Sequence, residues 1–267
     1  MFVTVGSAIA IAQPSTVTPI TPAPEEPAPY VYPRRTVDRP LLLPDGGLDV
    51  AMGFHILNDN TSYFIPDARV AISTVELRVG VALQLGDRPD PDTTLAAFTI
   101  GGMRELVPCR VPGLAVGAQF AGYRLTGDSP RIAPSLLAEY KRKLASFFAI
   151  LPTASLGYDY IQASSEDEVG NVIEGSYHQL EGSLALRAQL QISDGTLFEA
   201  LFGTAYFQDL GDYPDVGVSS HSQQTIGGAL VLTTSGNTDF RFSYIQSRHS
   251  WAYKSDGIFL GLAFRRI

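Results

Sequence analysis

From Gly47 to the final residues, apolar and polar positions alternate with a period of two. In "GLDVAMGFHI", Leu48, Val50, Met52, Phe54 and Ile56 share one face, and Asp49, Ala51, Gly53 and His55 the other. "VELRVGVALQL" sets Val75, Leu77, Val79, Val81, Leu83 and Leu85 against Glu76, Arg78, Gly80, Ala82 and Gln84. The same rhythm returns in "GLAVGAQF", "QLEGSLALRAQL" and "DFRFSY". It closes the chain in "DGIFLGLAFRRI", where Ile258, Leu260, Leu262 and Phe264 oppose Phe259, Gly261, Ala263 and Arg265. Alternation of this length predicts strands whose two faces meet different surroundings.

The separators have their own order. Short turns are expected at Ser73–Thr74, 108–112, 144–146, 192–196 and 235–239. Longer polar segments fall at 57–68, 86–94, 126–134, 162–176, 209–223 and 247–256. Short and long connections alternate, so all short turns lie at one end and all long loops at the other. Counting the runs between them gives about twelve strands, an even number, as bacterial outer-membrane barrels have. The competing reading is a soluble β-sandwich. Runs of ten or more residues exceed typical sandwich strands and suit tilted strands that cross a bilayer. The expected fold is therefore all-β: an antiparallel up-and-down transmembrane barrel. Pairing of the last strand with the first removes both edges, and lipid covers the apolar face.

Composition agrees. Charged residues are only 17% of the 267, while Gly (25) and Tyr plus Phe (12 and 14) are plentiful, which suits strands better than helices. A net charge of -8 argues against nucleic acid as a partner. The single cysteine, Cys109, cannot form an intrachain disulfide, and no Cys/His group has metal-ligand spacing, so no metal or cofactor is expected.

The chain before the first strand reads differently. Residues 1–12 are small and apolar, and Ala10-Ile11-Ala12 before Gln13 fits a signal-peptide cleavage site, although a basic n-region is missing. Residues 13–44 hold nine of the 18 prolines and read as a Pro-rich, disordered spacer, either a periplasmic tether or a solvated leader without a partner. The barrel is expected over 45–267.

The last strand resembles the C-terminal assembly signal of Gram-negative outer-membrane proteins, with Ile258, Leu260, Leu262 and the aromatic Phe264 at alternate positions. Arg265, Arg266 and Ile267 extend past the aromatic on which that signal usually ends. "RPLLLPDGGLDVAMGF" and "TVELRVGVALQL" resemble segments of transporter-like and porin-like outer-membrane barrels, over roughly residues 38–267. The resemblance implies a bacterial outer-membrane location, with the lipid bilayer and the barrel-assembly machinery as partners.

Enzymatic chemistry finds little support. None of His55, His178, His221 and His249 is followed two residues later by serine, the arrangement of a known phospholipase barrel class. His221 and His249 are expected in outer loops, and His55 and His178 inside near strand ends. Glu166, Asp167, Glu168 and Glu174 lack the spacing of a calcium loop. The lumen is more informative. Polar parity points Asp49, Glu76, Glu139, Asp159, Glu181 and Glu199 inward, with Arg78, Lys141, Lys143, Arg187, Arg241 and Arg265. Six of each sign suggest ion pairs that knit the wall, or a narrow pore with weak selectivity. Gly53, Gly80, Ala82, Ala115, Gly117, Ala121 and Gly261 on the same face are expected to leave room beside them. The expected function is a passive channel or transporter for small polar solutes. The alternatives are a closed structural barrel whose outer loops meet a partner, and, last, a lipid-modifying enzyme.

Overall fold

The computed structural model describes residues 32–57, 61–85, 95–106, 113–123, 130–166, 172–210, 220–234, 237–249 and 254–267. The expected signal segment, the first part of the spacer, Cys109, Asp167 and Glu168 lie outside them. Thirteen strands follow in chain order: β1 (Leu48–Leu57), β2 (Ser62–Ile72), β3 (Val75–Leu85), β4 (Leu95–Glu105), β5 (Leu114–Tyr123), β6 (Arg131–Tyr140), β7 (Arg142–Ala145), β8 (Phe148–Glu166), β9 (Val172–Ser193), β10 (Thr196–Asp209), β11 (Ser220–Thr233), β12 (Thr238–His249) and β13 (Lys254–Arg266). All neighbours pair antiparallel. β6 and β7 both lie against β8 and form one wall strand interrupted at Lys141. The ring thus has twelve wall strands, and β1 closes it against β13 from Leu48–Arg266 to Leu57–Gly257.

The alternation decides which way each strand faces. Leu184, 63% exposed, stands outward on β9 with Leu180, Leu186 and Leu190, while Gln179, Gln189 and Gln191 between them are buried. The outward residues are even-numbered in every strand except β3, where Leu77 and Val79 face out and Glu76 and Gln84 face in. The parity changes at the two-residue turn Ser73–Thr74, which pairs Ile72 with Val75. Ser73 has a φ of 58°, and its N–H donates to Asp45 Oδ1 at 2.5 Å. An apolar belt of this extent would be a large hydrophobic patch in water. Hydrocarbon removes that cost.

Several strands reach further than the alternation indicated. β2 starts at Ser62 and β6 at Arg131, inside segments expected as loops. β8 and β9 together take up most of 162–176, and β11 already includes His221. In these stretches polar residues interrupt the apolar row, so the period-two signal fades while the backbone ladder continues. The two-residue turns 73–74, 146–147 and 194–195 all lie at one end, the periplasmic end of such barrels, although the β4–β5 connection at that end, 106–113, is longer than the β1–β2 connection, 58–61, at the other.

Three prolines sit within the wall, each beside an interruption in one ladder. Pairing of β2 with β3 skips Ile65 and Pro66. Pairing of β6 with β8 skips Ala133 and Pro134. Opposite Leu151 and Pro152, the wall strand breaks between β6 and β7. Proline has no N–H to give to a ladder, so each gap has a direct cause.

Candidate functional site

The interior is the candidate site. Its structure begins at the turn end with part of the segment expected as a spacer. Tyr32–Pro44 packs against the inner wall there, with a single 3-10 turn at Thr36–Asp38. Val37, 2% exposed, packs with Ala149, Leu197 and Val231, which project inward from β8, β10 and β11. Its N–H donates to Gln191 Oε1 at 3.3 Å, and the N–H of the buried Leu43 donates to Glu76 Oε2 at 2.8 Å. Lys141 donates to the carbonyls of Thr36 at 2.7 Å and Arg39 at 2.8 Å, and Lys143 pairs with Asp38. Prolines keep this segment out of the sheet ladder, yet its backbone groups are met by wall side chains.

Arg39 is the anchor. Its guanidinium donates to both oxygens of Asp239, at 2.6 and 3.1 Å, and to Thr233 Oγ1 at 3.2 Å. Asp239 also receives Arg265 at 2.7 Å. Arg265 continues to Asp49 at 3.1 Å, and Asp49 also accepts from Arg69. Both guanidinium groups lie over the Tyr32 ring, their carbons 5.5 Å (Arg39) and 6.0 Å (Arg265) from its centroid. Burial raises the pKa of the Tyr32 hydroxyl, while Arg265 and Arg39 pull the other way. A neutral phenol beside two cations offers them its π face.

The twelve charged residues singled out by parity all lie on the inward face. Their partners cross the interior as well as joining neighbours. Arg78 bridges Glu76 on its own strand at 2.7 Å and Glu139 at 2.8 Å, reaching from β3 to β6. Arg241 on β12 reaches Glu199 on β10 at 2.7 Å, and Gln189 adds a bond to Glu199 at 2.8 Å. Nearer the loop end, Asp159 pairs with Arg131, which also lies 3.6 Å from Glu181. Arg187 stands apart: it forms no hydrogen bond or ion pair with another described residue.

Sequence reasoning overlooked Arg39, Asp67, Arg69, Arg131 and Asp239. Arg39, Asp67, Arg131 and Asp239 lay in stretches assigned to the spacer, a loop or a turn, and Arg69 in the short run between the 57–68 segment and Ser73. Extending the strand period through 62–72 and 131–140 would have found three of them. Arg39 carried no periodic signal.

The small inward residues are not all empty space. The ring of Phe259 lies over Gly53 and Gly261, and Met103 lies over Gly117. A side chain at any of these glycines would collide with them. The histidines also differ from expectation. His55 does face inward, beside Phe259. His178 instead lies on the outward face, bonded to the Tyr158 hydroxyl and packed against Tyr160, within the aromatic belt. His221, in β11 rather than in a loop, stacks on Phe207 at 4.5 Å.

Among the described residues, cavities open in the lumen above the leader. One of about 320 Å³ includes Leu41, Asp67, Arg78, Glu139 and Arg187 in its lining. A second of about 310 Å³ includes Asp67, Arg187, Asp239 and Arg241. A third, of about 450 Å³, lies towards the loop end beside His55, Gln84, Tyr123 and Arg131. Among the described residues no cluster of His, Cys, Asp and Glu has the arrangement of a metal site.

No family model and no curated relative matches the chain. Solved structures do. An outer-membrane channel of Pseudomonas putida F1 matches with a TM-score of 0.55 at 11% identity, covering 84% of this chain and 97% of that one. The NanC porin matches with a TM-score of 0.51 at 10% identity, covering 81% and 98%. At this identity the likeness is one of fold. The closed twelve-strand ring with its apolar belt is the fold these outer-membrane barrels share.

Proposed function

We propose that the protein is a passive channel for small polar solutes in the bacterial outer membrane, with its periplasmic mouth narrowed by Tyr32–Pro44. The observation that carries this reading is the charged and polar lining of the unfilled lumen. Twelve strands enclose more space than side chains fill, and cavities of about 320, 310 and 450 Å³ remain between the ion pairs. The lining then consists of the inward charges, among them Asp49, Glu76, Arg78, Glu139, Asp159, Glu181, Arg187, Glu199 and Arg241. Lys141, Lys143 and Arg265 hold the leader or the seam. Ile258, Leu260, Leu262 and Phe264 serve as the assembly signal, a reading supported by their outward row along the closing seam.

The test is conductance of purified full-length protein in planar bilayers, beside a variant lacking residues 13–44. Stepwise currents are expected from both, larger in the variant. Silence from both would overturn the channel and favour a closed barrel acting through its outer loops.

A further inference from the structure

The ion pairs leave an unequal remainder. Within the two cavities just above the leader, nearly every charge has a partner. Arg69 and Arg265 engage Asp49, Arg78 engages Glu139, Arg241 engages Glu199, and Asp239 is held by Arg39 and Arg265. Two charged side chains are left. Asp67 is exposed to the lumen and makes no ion pair with a described residue. Arg187 makes none either.

Their positions are related. Asp67 is on β2 and Arg187 on β9. The strand order places β9 six wall strands from β2 in either direction round the ring of twelve. The two side chains therefore face one another across the lumen. Both line each of the two cavities. A carboxylate on one wall and a guanidinium on the opposite wall thus line the same cavities.

Neither charge is committed to an ion-pair partner among the described residues, so each is available for a charge-assisted hydrogen bond to a solute. The neighbouring charges are already committed: Arg69, beside Asp67, to Asp49 and Glu76, and Glu199, which feels Arg187, to Arg241. A solute carrying one charge of each sign satisfies both walls at once. A simple anion or cation satisfies one and is repelled by the other. We propose that Asp67 and Arg187 form a binding site for small zwitterions of the amino acid or dipeptide class, with the ammonium towards Asp67 and the carboxylate towards Arg187. This rests on the lumen being accessible to solutes, as the channel reading holds.

The test uses full-length protein in detergent micelles, with saturation-transfer NMR to detect bound glycylglycine, glycerol, acetate and ethylammonium. Binding of glycylglycine is expected to exceed that of the other three by at least about tenfold, the order for charge-assisted hydrogen bonds. Asp67→Asn should remove that preference and leave acetate the better ligand. Arg187→Gln should remove it and leave ethylammonium the better ligand. A merely structural role for either residue would not turn the preference in opposite directions. Equal binding of all four solutes by the native protein, or identical profiles for the two variants, would overturn the proposal. Swelling of proteoliposomes in glycerol tests the channel reading separately. Swelling without zwitterion preference defeats the site alone, whereas zwitterion binding without swelling supports the site and defeats the channel.

Discussion

The two ends of the lumen are built on different terms. At the turn end, Arg39, Asp239, Arg265, Asp49 and Arg69 form one chain of charge, sealed by Tyr32 and the leader. Towards the loop end the ion pairs are fewer, Arg131 with Asp159 and Glu181, and hydroxyl and amide contacts accompany them: Ser155 with Ser183 at 2.6 Å, Thr225 with Ser247 at 3.3 Å, and Gln179 with Asp209 at 3.0 Å. Paired charges that exclude water hold geometry firmly, whereas exchangeable hydroxyl contacts compete with solvent on nearly equal terms. The turn end fixes the barrel and its leader, and the loop end can stay wet.

The largest expected effect comes from breaking the charged chain. Asp239→Ala leaves Arg39 and Arg265 buried without their shared acceptor, which should cost about 3–5 kcal/mol. Urea unfolding in detergent should show it, and conductance should rise as the leader loosens. Removing Arg265, Arg266 and Ile267 should follow closely. These three residues extend past Phe264, the aromatic on which the assembly signal usually ends. Arg265, only 8% exposed at its side chain and shared between Asp49 and Asp239, makes their removal costly. The amount of protein in outer-membrane fractions should fall. An undiminished yield would mean the seam does not need its charges.

A smaller effect is expected from deleting 13–38, which spares Arg39 and Leu43 but removes Val37 and the 3-10 turn. The barrel should still fold and shift with heat on gels, because every wall strand remains. Its stability should drop by about 1–3 kcal/mol, the range for burying an aliphatic side chain such as Val37. The least effect is expected at the loop end. Thr225→Val removes one exchangeable hydroxyl contact and should change stability by less than about 1 kcal/mol. A loss as large as that of Asp239→Ala would erase the contrast between the two ends.

The architecture was legible because a barrel wall writes its two surroundings into alternate residues. Leu184 and Arg187 reveal their faces without any coordinates. The closing seam was legible for the same reason, since Ile258, Leu260 and Phe264 needed a cover that only lipid and β1 could supply. The leader was not. Val37 and Arg39 act singly, through contacts more than a hundred residues away, and single contacts leave no period. Arg131 and Asp67 were hidden differently, beside Pro134 and Pro66, where the sequence reads as a loop although the strand runs on. The opposition of Asp67 and Arg187 depends on ring order, which no local window contains.

The three wall prolines have a mechanical consequence. Pro66 weakens the join between β2 and β3, and Pro134 and Pro152 weaken the join between β6 and β8. Those two seams bound the strands β3 to β6, a panel of four in a cylinder of twelve. A tube stitched loosely along two lines bends there first, as a hinged door bends at its hinges. Its cross-section softens along one axis, so that it can pass between rounder and flatter outlines while each panel keeps its shape. Amide exchange should be fastest along these two lines, well away from the tightly zipped closure of β1 on β13.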